Sequence, residues 1–76
     1  MAAWQWAKIR RTIHILKKQR VVLLKRLEEI NENLRSVPNP SRARRELLEA
    51  RASIKEALRL NARALRILKS LFHVHP

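Results

Sequence analysis

Val37-Pro38-Asn39-Pro40-Ser41 divides the chain into two long apolar heptad patterns. Pro38 and Pro40 each remove a backbone N–H donor and disfavour helical angles at the residue before them. Ser41 follows with a hydroxyl that can accept from the free N–H groups at the start of a helix. The stretch therefore predicts a helix end, a short turn over 37–41 and a capped restart.

The length and composition restrict how such a chain can be stabilised. Two helices within 76 residues cannot bury a large core on their own, and the chain has no cysteine for a disulfide or a thiolate zinc site. Self-association is the remaining way to cover apolar surface. We expect one all-α domain over 1–76, an antiparallel two-helix hairpin that assembles into a homo-oligomeric bundle.

The first heptad pattern predicts a helix over about 3–36. Its a and d positions are apolar at every point except Arg20, which is typical of a coiled-coil interface. The a positions are Trp6, Ile13, Arg20, Leu27 and Leu34, and the d positions are Ala2, Ile9, Leu16, Leu23, Ile30 and Val37.

The second pattern predicts a helix over about 42–72, with some polar residues among its a and d positions. The a positions are Arg44, Arg51, Leu58, Leu65 and Phe72, and the d positions are Leu47, Ile54, Asn61, Leu68 and His75. Alanine recurs at position g, as Ala43, Ala50, Ala57 and Ala64. Small residues at this spacing favour a close approach of two helices, although alanine is also the best helix former.

A short turn makes the two helices antiparallel. With the turn centred near Pro38 and Asn39, residues whose numbers sum to about 77 are expected to lie level with each other. This register predicts an aromatic cluster of Trp4, Trp6 and Phe72 where the two chain ends meet.

Apolar residues outside the a and d positions form a second strip on each helix, which predicts contact with a further helix. The strip contains Trp4, Ile15, Val22 and Leu24 on the first helix, and Leu48, Leu60, Ile67 and Leu71 on the second. We expect a homodimeric four-helix bundle, with a trimeric six-helix bundle as the alternative. The predicted oligomer interface is Ile13, Ile15, Leu16, Val22, Leu23, Ile54, Leu58, Leu60, Leu65 and Ile67.

Arg20 and Asn61 are polar residues within the predicted helix–helix interface. Such residues can fix register and oligomer state, and a guanidinium between helices can also bind a small carboxylate or phosphate. Glu56 would be near enough to pair with Arg20, whose long stem can alternatively pack while its head reaches water. The pattern leaves a register role and an anion or enzyme site open.

The sequence indicates no catalytic set and no cofactor. No nucleophile, base and orienting residue occur together, and the absence of glycine excludes a phosphate-cradling glycine loop. The three histidines do not form a recognisable metal motif, because a zinc site needs three or four converging ligands. We expect no metal site and lean against an enzyme.

The charge is strongly positive, with 18 Lys and Arg against 6 acidic residues and a net charge of +12. This balance favours polyanionic partners such as RNA or DNA, bound without sequence specificity because no groove-reading motif is present. The predicted polyanion-binding residues are Lys8, Arg11, Lys18, Lys25, Arg59, Arg63, Arg66 and Lys69.

The first 27 residues contain no acidic residue, which resembles a mitochondrial presequence or a membrane-surface helix. The same heptad continues unbroken through Leu34, well past a presequence, so we assign the segment to the fold. No apolar run approaches the roughly 20 residues that a membrane span needs. We expect a soluble protein, cytoplasmic or recombinant, with mitochondrial targeting as the alternative.

The Asn39-Pro40-Ser41 loop, the regular heptads, the alanine spacing and the isolated Arg20 and Asn61 together resemble de novo designed helical hairpins that form homo-oligomeric bundles. That resemblance implies a non-catalytic self-associating scaffold. The natural analogue is the Rop-like RNA-binding hairpin, which implies a basic four-helix bundle that binds RNA. The stretch Arg10-x-x-Ile13-x-x-Leu16 also resembles the first helix of all-helical chorismate mutases, but Lys17 stands where their pattern has an acidic residue.

Overall fold

The computed structural model describes residues 2–74, with the side chains of residues 2–72, and contains two helices. Helix α1 covers Ala3–Ser36 and helix α2 covers Arg42–Val74. The helices pack against each other along their length as a hairpin of 55 × 15 × 14 Å. The all-α hairpin expected from the two heptads is confirmed. His75 lies outside the described residues.

Contacts between the helices follow the expected antiparallel register. The Asn61 amide Nδ2 donates to the backbone carbonyl of Leu16 at 2.9 Å, and the numbers of these residues sum to 77. Near the chain ends, the rings of Trp6 and Phe72 have centroids 4.9 Å apart. The a and d side chains of residues 6–72 are all buried or half-buried, so they form the interface between the helices, which we call the seam.

The turn is closed by hydrogen bonds from both sides. The Ser41 hydroxyl accepts from the backbone N–H of Arg44 at 3.1 Å, which confirms Ser41 as the N-cap of α2. The Arg44 guanidinium Nη1 then donates to the backbone carbonyl of Leu34 at 3.1 Å. This carbonyl belongs to the last turn of α1 and has no partner within that helix, so Arg44 ties the end of α1 to the start of α2.

The beginning of α1 has a cap that the sequence pattern did not indicate. The Gln5 side-chain oxygen Oε1 accepts from the backbone N–H of Ala2 at 2.8 Å, so a first-turn side chain reaches back over the helix start. Trp4, expected in the aromatic cluster, is instead 64 % exposed, with the Lys8 ammonium 5.9 Å from its ring centroid.

The polar side chains near the turn pair both within α2 and between the helices. Arg42 pairs with Glu46 at 3.0 Å within α2. Arg51 uses Nη1 to donate to the Asn31 side-chain oxygen at 3.4 Å rather than to a glutamate. Polar contact across the turn therefore relies on arginine bound to neutral oxygens.

The cap at Ser41 can be tested by substitution. Ser41→Ala removes the acceptor for the Arg44 N–H and should lower the free energy of unfolding by about 1 kcal/mol. The measurement is urea unfolding at fixed chain concentration, because self-association would shift the midpoint.

Ser36→Ala is the matched control, since the Ser36 hydroxyl contacts only the Asn33 carbonyl and remains exposed. Equal effects of the two substitutions would contradict the capping role of Ser41.

Candidate interaction surfaces

The two broad sides of the hairpin carry different heptad positions. In an antiparallel pair, the g positions of both helices flank one side of the seam and the e positions flank the other. Two grooves agree with this arrangement. One groove on the g side is lined by Trp4, Gln5, Lys8, Ile9, Thr12 and Leu68, and one on the e side is lined by Arg20, Ala62, Leu65, Arg66, Lys69 and Ser70.

The side with the g positions, here called the alanine face, is apolar along its middle. Three of the g alanines are half-buried against α1, namely Ala50, Ala57 and Ala64. Beside them, at position c of each helix, lie four large apolar side chains that are about half exposed: Ile15, Val22, Leu60 and Ile67. The charged residues at the c and g positions balance, as Lys8 and Arg26 against Glu29 and Glu46.

A shallow groove runs over the α1 half of the alanine face. It is lined by Ile15, Val22 and Leu23, with Gln19 and Lys18 at its border. The groove offers an apolar depression beside exposed apolar side chains, which is the form of surface that another helix can fill.

The opposite side, here called the basic face, carries the e and b positions. Its cations are Arg10, Lys17, Arg35, Arg45, Lys55, Arg59, Arg66 and Lys69, and its carboxylate is Glu28. Glu28 lies toward the turn, so the half of this face nearest the chain ends carries cations without acidic residues at the e and b positions. The two broad sides therefore differ strongly in charge.

Arg20 belongs to the groove on the basic face. Its side chain is half-buried at an a position of the seam and lines the groove together with Arg66, Lys69 and Ser70. Glu56, the possible partner of Arg20, instead accepts at Oε2 from Nε of Arg59 in its own helix, at 3.0 Å. Three cations thus line one open groove.

Asn61 does not share that groove. The Asn61 side chain is 6 % exposed, and while its Nδ2 donates to Leu16, its Oδ1 is buried without a hydrogen-bond partner. A buried acceptor without a partner costs roughly 1–3 kcal/mol. Arg20 and Asn61 therefore lie in different settings, one at an open surface and the other inside the seam.

The predicted oligomer-interface residues divide between the seam and the alanine face. Six of them are buried or half-buried at a and d positions: Ile13, Leu16, Leu23, Ile54, Leu58 and Leu65. The other four are Ile15, Val22, Leu60 and Ile67, which are the exposed residues of the alanine face. Val21, Leu24 and Leu48 are also exposed but lie at b and e positions, on the basic face.

The predicted polyanion-binding residues are all exposed but do not form one surface. Three of them lie on the basic face of α2: Arg59, Arg66 and Lys69. Position f, on the outer edges of the hairpin, holds Arg11, Lys18, Lys25 and Arg63, while Lys8 lies at position c beside Trp4. Arg10 and Lys17 lie on the same face as Arg66. The sequence pattern did not predict this grouping, because it depends on which heptad positions flank the seam.

The ion pair between Glu56 and Arg59 shifts the pKa of both groups. A hydrogen bond from Arg59 lowers the pKa of the Glu56 carboxyl, and the same bond raises the pKa of Arg59. Both groups are fully exposed, so solvent screens the pair and it contributes little to the fold.

Among the described residues, no group of three or more His, Asp or Glu side chains could hold a metal ion. Within residues 2–74, neither helix has a stretch long and apolar enough to cross a membrane. The chain matches no protein-family model, and no curated protein or solved structure is significantly similar to it.

The role of Asn61 can be tested with two substitutions of similar size. Asn61→Leu removes the unpartnered Oδ1 and should raise the free energy of unfolding by about 1 kcal/mol. Asn61→Asp places an acceptor-only carboxylate opposite the Leu16 carbonyl and should lower that free energy by about 3 kcal/mol.

Urea unfolding of the two variants beside the parent chain measures both changes. A loss of stability in Asn61→Leu would contradict the geometry, since it would mean that the hydrogen bond outweighs the buried acceptor.

Proposed function

We propose that this chain is a non-catalytic structural protein that self-associates, with two hairpins packing through their alanine faces as a four-helix bundle. The observation that carries the proposal is the exposure of Ile15, Val22, Leu60 and Ile67 on a face whose charges balance. Burial of such side chains is the main driving force for association of helices in water.

The thin core of a single hairpin supports self-association. Only Leu34 and Leu65 among the described apolar residues are less than 9 % exposed, each at 8 %. The accessible surface is 6215 Å², whereas a compact monomer of 9.0 kDa would have roughly 4,900 Å². Packing a second copy on one face would remove much of this excess.

Electrostatics favour the alanine face for contact between copies. Each chain has a net charge of +12, so two chains repel each other unless they meet where the local charge is small. Lys8 and Arg26 balance Glu29 and Glu46 on the alanine face, whereas the basic face would bring like charges together. A second copy of this chain can therefore pack on the alanine face without strong repulsion between like charges.

The size of the face agrees with a stable dimer. A side of 55 × 15 Å has a footprint of about 800 Å². Stable protein–protein interfaces bury about 800 Å² on each partner. The alanine face therefore has the area that a specific two-fold interface requires.

The distribution of charge along the hairpin favours an antiparallel arrangement of the two copies. The turn end carries most of the acidic residues, as Glu28, Glu29, Glu32, Glu46 and Glu49. Four arginines in the same part of the chain, Arg35, Arg42, Arg44 and Arg45, leave the turn end close to neutral. The opposite end is strongly basic, so antiparallel copies keep their two basic ends apart. The exposed apolar residues lie near the middle of the hairpin, where a two-fold axis would superimpose the two patches.

Two neighbouring valines provide a matched test. Val22 is 53 % exposed on the alanine face, and Val21 is 66 % exposed on the basic face. Val22→Lys should reduce the mass measured by light scattering from that of two chains to 9.0 kDa, because each dimer would bury two added ammonium groups.

Val21→Lys adds the same charge one residue away and should leave the dimer mass unchanged. If Val21→Lys alone caused dissociation, the interface would lie on the basic face instead. A mass of 9.0 kDa for the parent chain would refute self-association. A three-chain mass that Val22→Lys abolishes would keep the alanine face but replace the four-helix bundle with a six-helix bundle.

A further inference from the structure

We infer that the basic face binds the phosphate backbone of a nucleic-acid duplex, with the groove of Arg20, Arg66 and Lys69 as its centre. The inference does not rest on self-association, since a single hairpin already presents this face. It differs from a general attraction to polyanions because it assigns the contact to one side of the hairpin.

The groove has the chemistry of a phosphate site. Arg20, Arg66 and Lys69 supply guanidinium and ammonium donors, and none of the residues lining the groove is acidic. Ser70 lies at its border, with its hydroxyl donating to the Ile67 carbonyl at 2.7 Å. The half-buried Arg20 stem restricts the motion of its side chain, so less entropy is lost when its head binds an anion.

Further cations continue the surface along the hairpin. Arg10 and Lys17 are seven residues apart on α1. On α2, Arg59 lies seven residues before Arg66, but its guanidinium is bonded to Glu56, so Arg66 and Lys69 are the main cations of that helix near the groove. Seven residues correspond to about 10.5 Å of helix, so charges recur along a straight, rigid face. Repeated cations without base-reading side chains are suited to a phosphate backbone and not to a particular base sequence.

The apolar residues argue against a membrane surface as the occupant. Helices that lie on membranes have cations flanking the apolar face that inserts. Here the larger apolar patch lies on the alanine face, opposite the groove. Val21, Leu24 and Leu48 are on the basic face and lie on the turn side of Arg20, so the half of that face with Arg66 and Lys69 has no large exposed apolar residue at its described b and e positions.

An acidic protein and a single strand also fit less well than a duplex. Protein interfaces depend on apolar or aromatic anchors at their centre, whereas the exposed residues around this groove are cationic or small and its one large apolar residue, Leu65, is buried. Single strands are held by bases stacked on aromatic rings. Trp4 lies at the outer edge of α1, and the ring of Trp6 packs against Phe72.

The test compares two double substitutions with the same change in charge. Arg66→Gln with Lys69→Gln removes two cations from the groove, and Arg26→Gln with Lys8→Gln removes two from the alanine-face side. The probe is a labelled duplex of about 20 base pairs, which at about 3.4 Å per pair is longer than the 55 Å hairpin. Fluorescence anisotropy at several salt concentrations gives the affinity and its salt dependence.

We expect the parent chain to bind DNA and RNA duplexes of different sequences at low salt, with affinity falling steeply as salt rises. The groove variant should weaken binding at least about tenfold more than the control variant, and its slope of log K against log salt should be smaller by about 2. Circular dichroism checks that both variants stay helical.

Several outcomes would overturn the inference. These are equal losses in the two double variants, an absence of duplex binding at low salt, or binding to phosphatidylglycerol vesicles without binding to either duplex. The Val22→Lys chain separates this result from the proposed function: it should retain duplex binding as a monomer, whereas loss of binding upon dissociation would show that the basic face of one hairpin is not sufficient.

Discussion

The structure depends on the constraint that the chain cannot remain helical through Val37–Ser41. Pro38 and Pro40 end α1, and the Ser41 hydroxyl begins α2 by accepting from the Arg44 N–H. The intervening turn is so short that the two helices must run antiparallel and side by side. Register, seam and the identity of both faces follow from the position of this turn.

Arginine has two roles that depend on where the turn places it. Near the turn, Arg44 and Arg51 point across the seam and bond to the Leu34 carbonyl and the Asn31 side chain. Farther from the turn, Arg20 and Arg66 line an open groove without acidic neighbours. The same residue type therefore holds the helices together at one end and forms a candidate anion site toward the other.

The hairpin and its register could be predicted from the sequence, because proline geometry and heptad periodicity are local properties. The rule that level residues sum to about 77 describes both the Asn61–Leu16 bond and, within one residue, the Trp6–Phe72 contact. The sequence left open whether Arg20 pairs with Glu56, and Glu56 bonds instead to Arg59, three residues along its own helix. The bond from Arg44 to the Leu34 carbonyl could not be predicted, because every residue has a backbone carbonyl and the sequence does not mark which one is the acceptor.

The separation into two faces was also not visible in the heptads alone. A second apolar strip was expected as one surface, but Leu24 and Leu48 lie at e positions while Val22 and Leu60 lie at c positions. The alignment of the two antiparallel helices decides which of these residues lie on the same side of the hairpin. That alignment also separates the charge-balanced alanine face from the basic face.

The nearly neutral turn end and the strongly basic far end make the charge of each hairpin uneven along its 55 Å axis, which gives it an electric dipole. A lone hairpin would therefore meet an approaching polyanion with its chain ends first and then settle along its side. Two antiparallel copies cancel this dipole, because a two-fold axis perpendicular to the hairpins reverses one against the other. Assembly would in this way convert an electrically directional rod into one whose ends are equivalent.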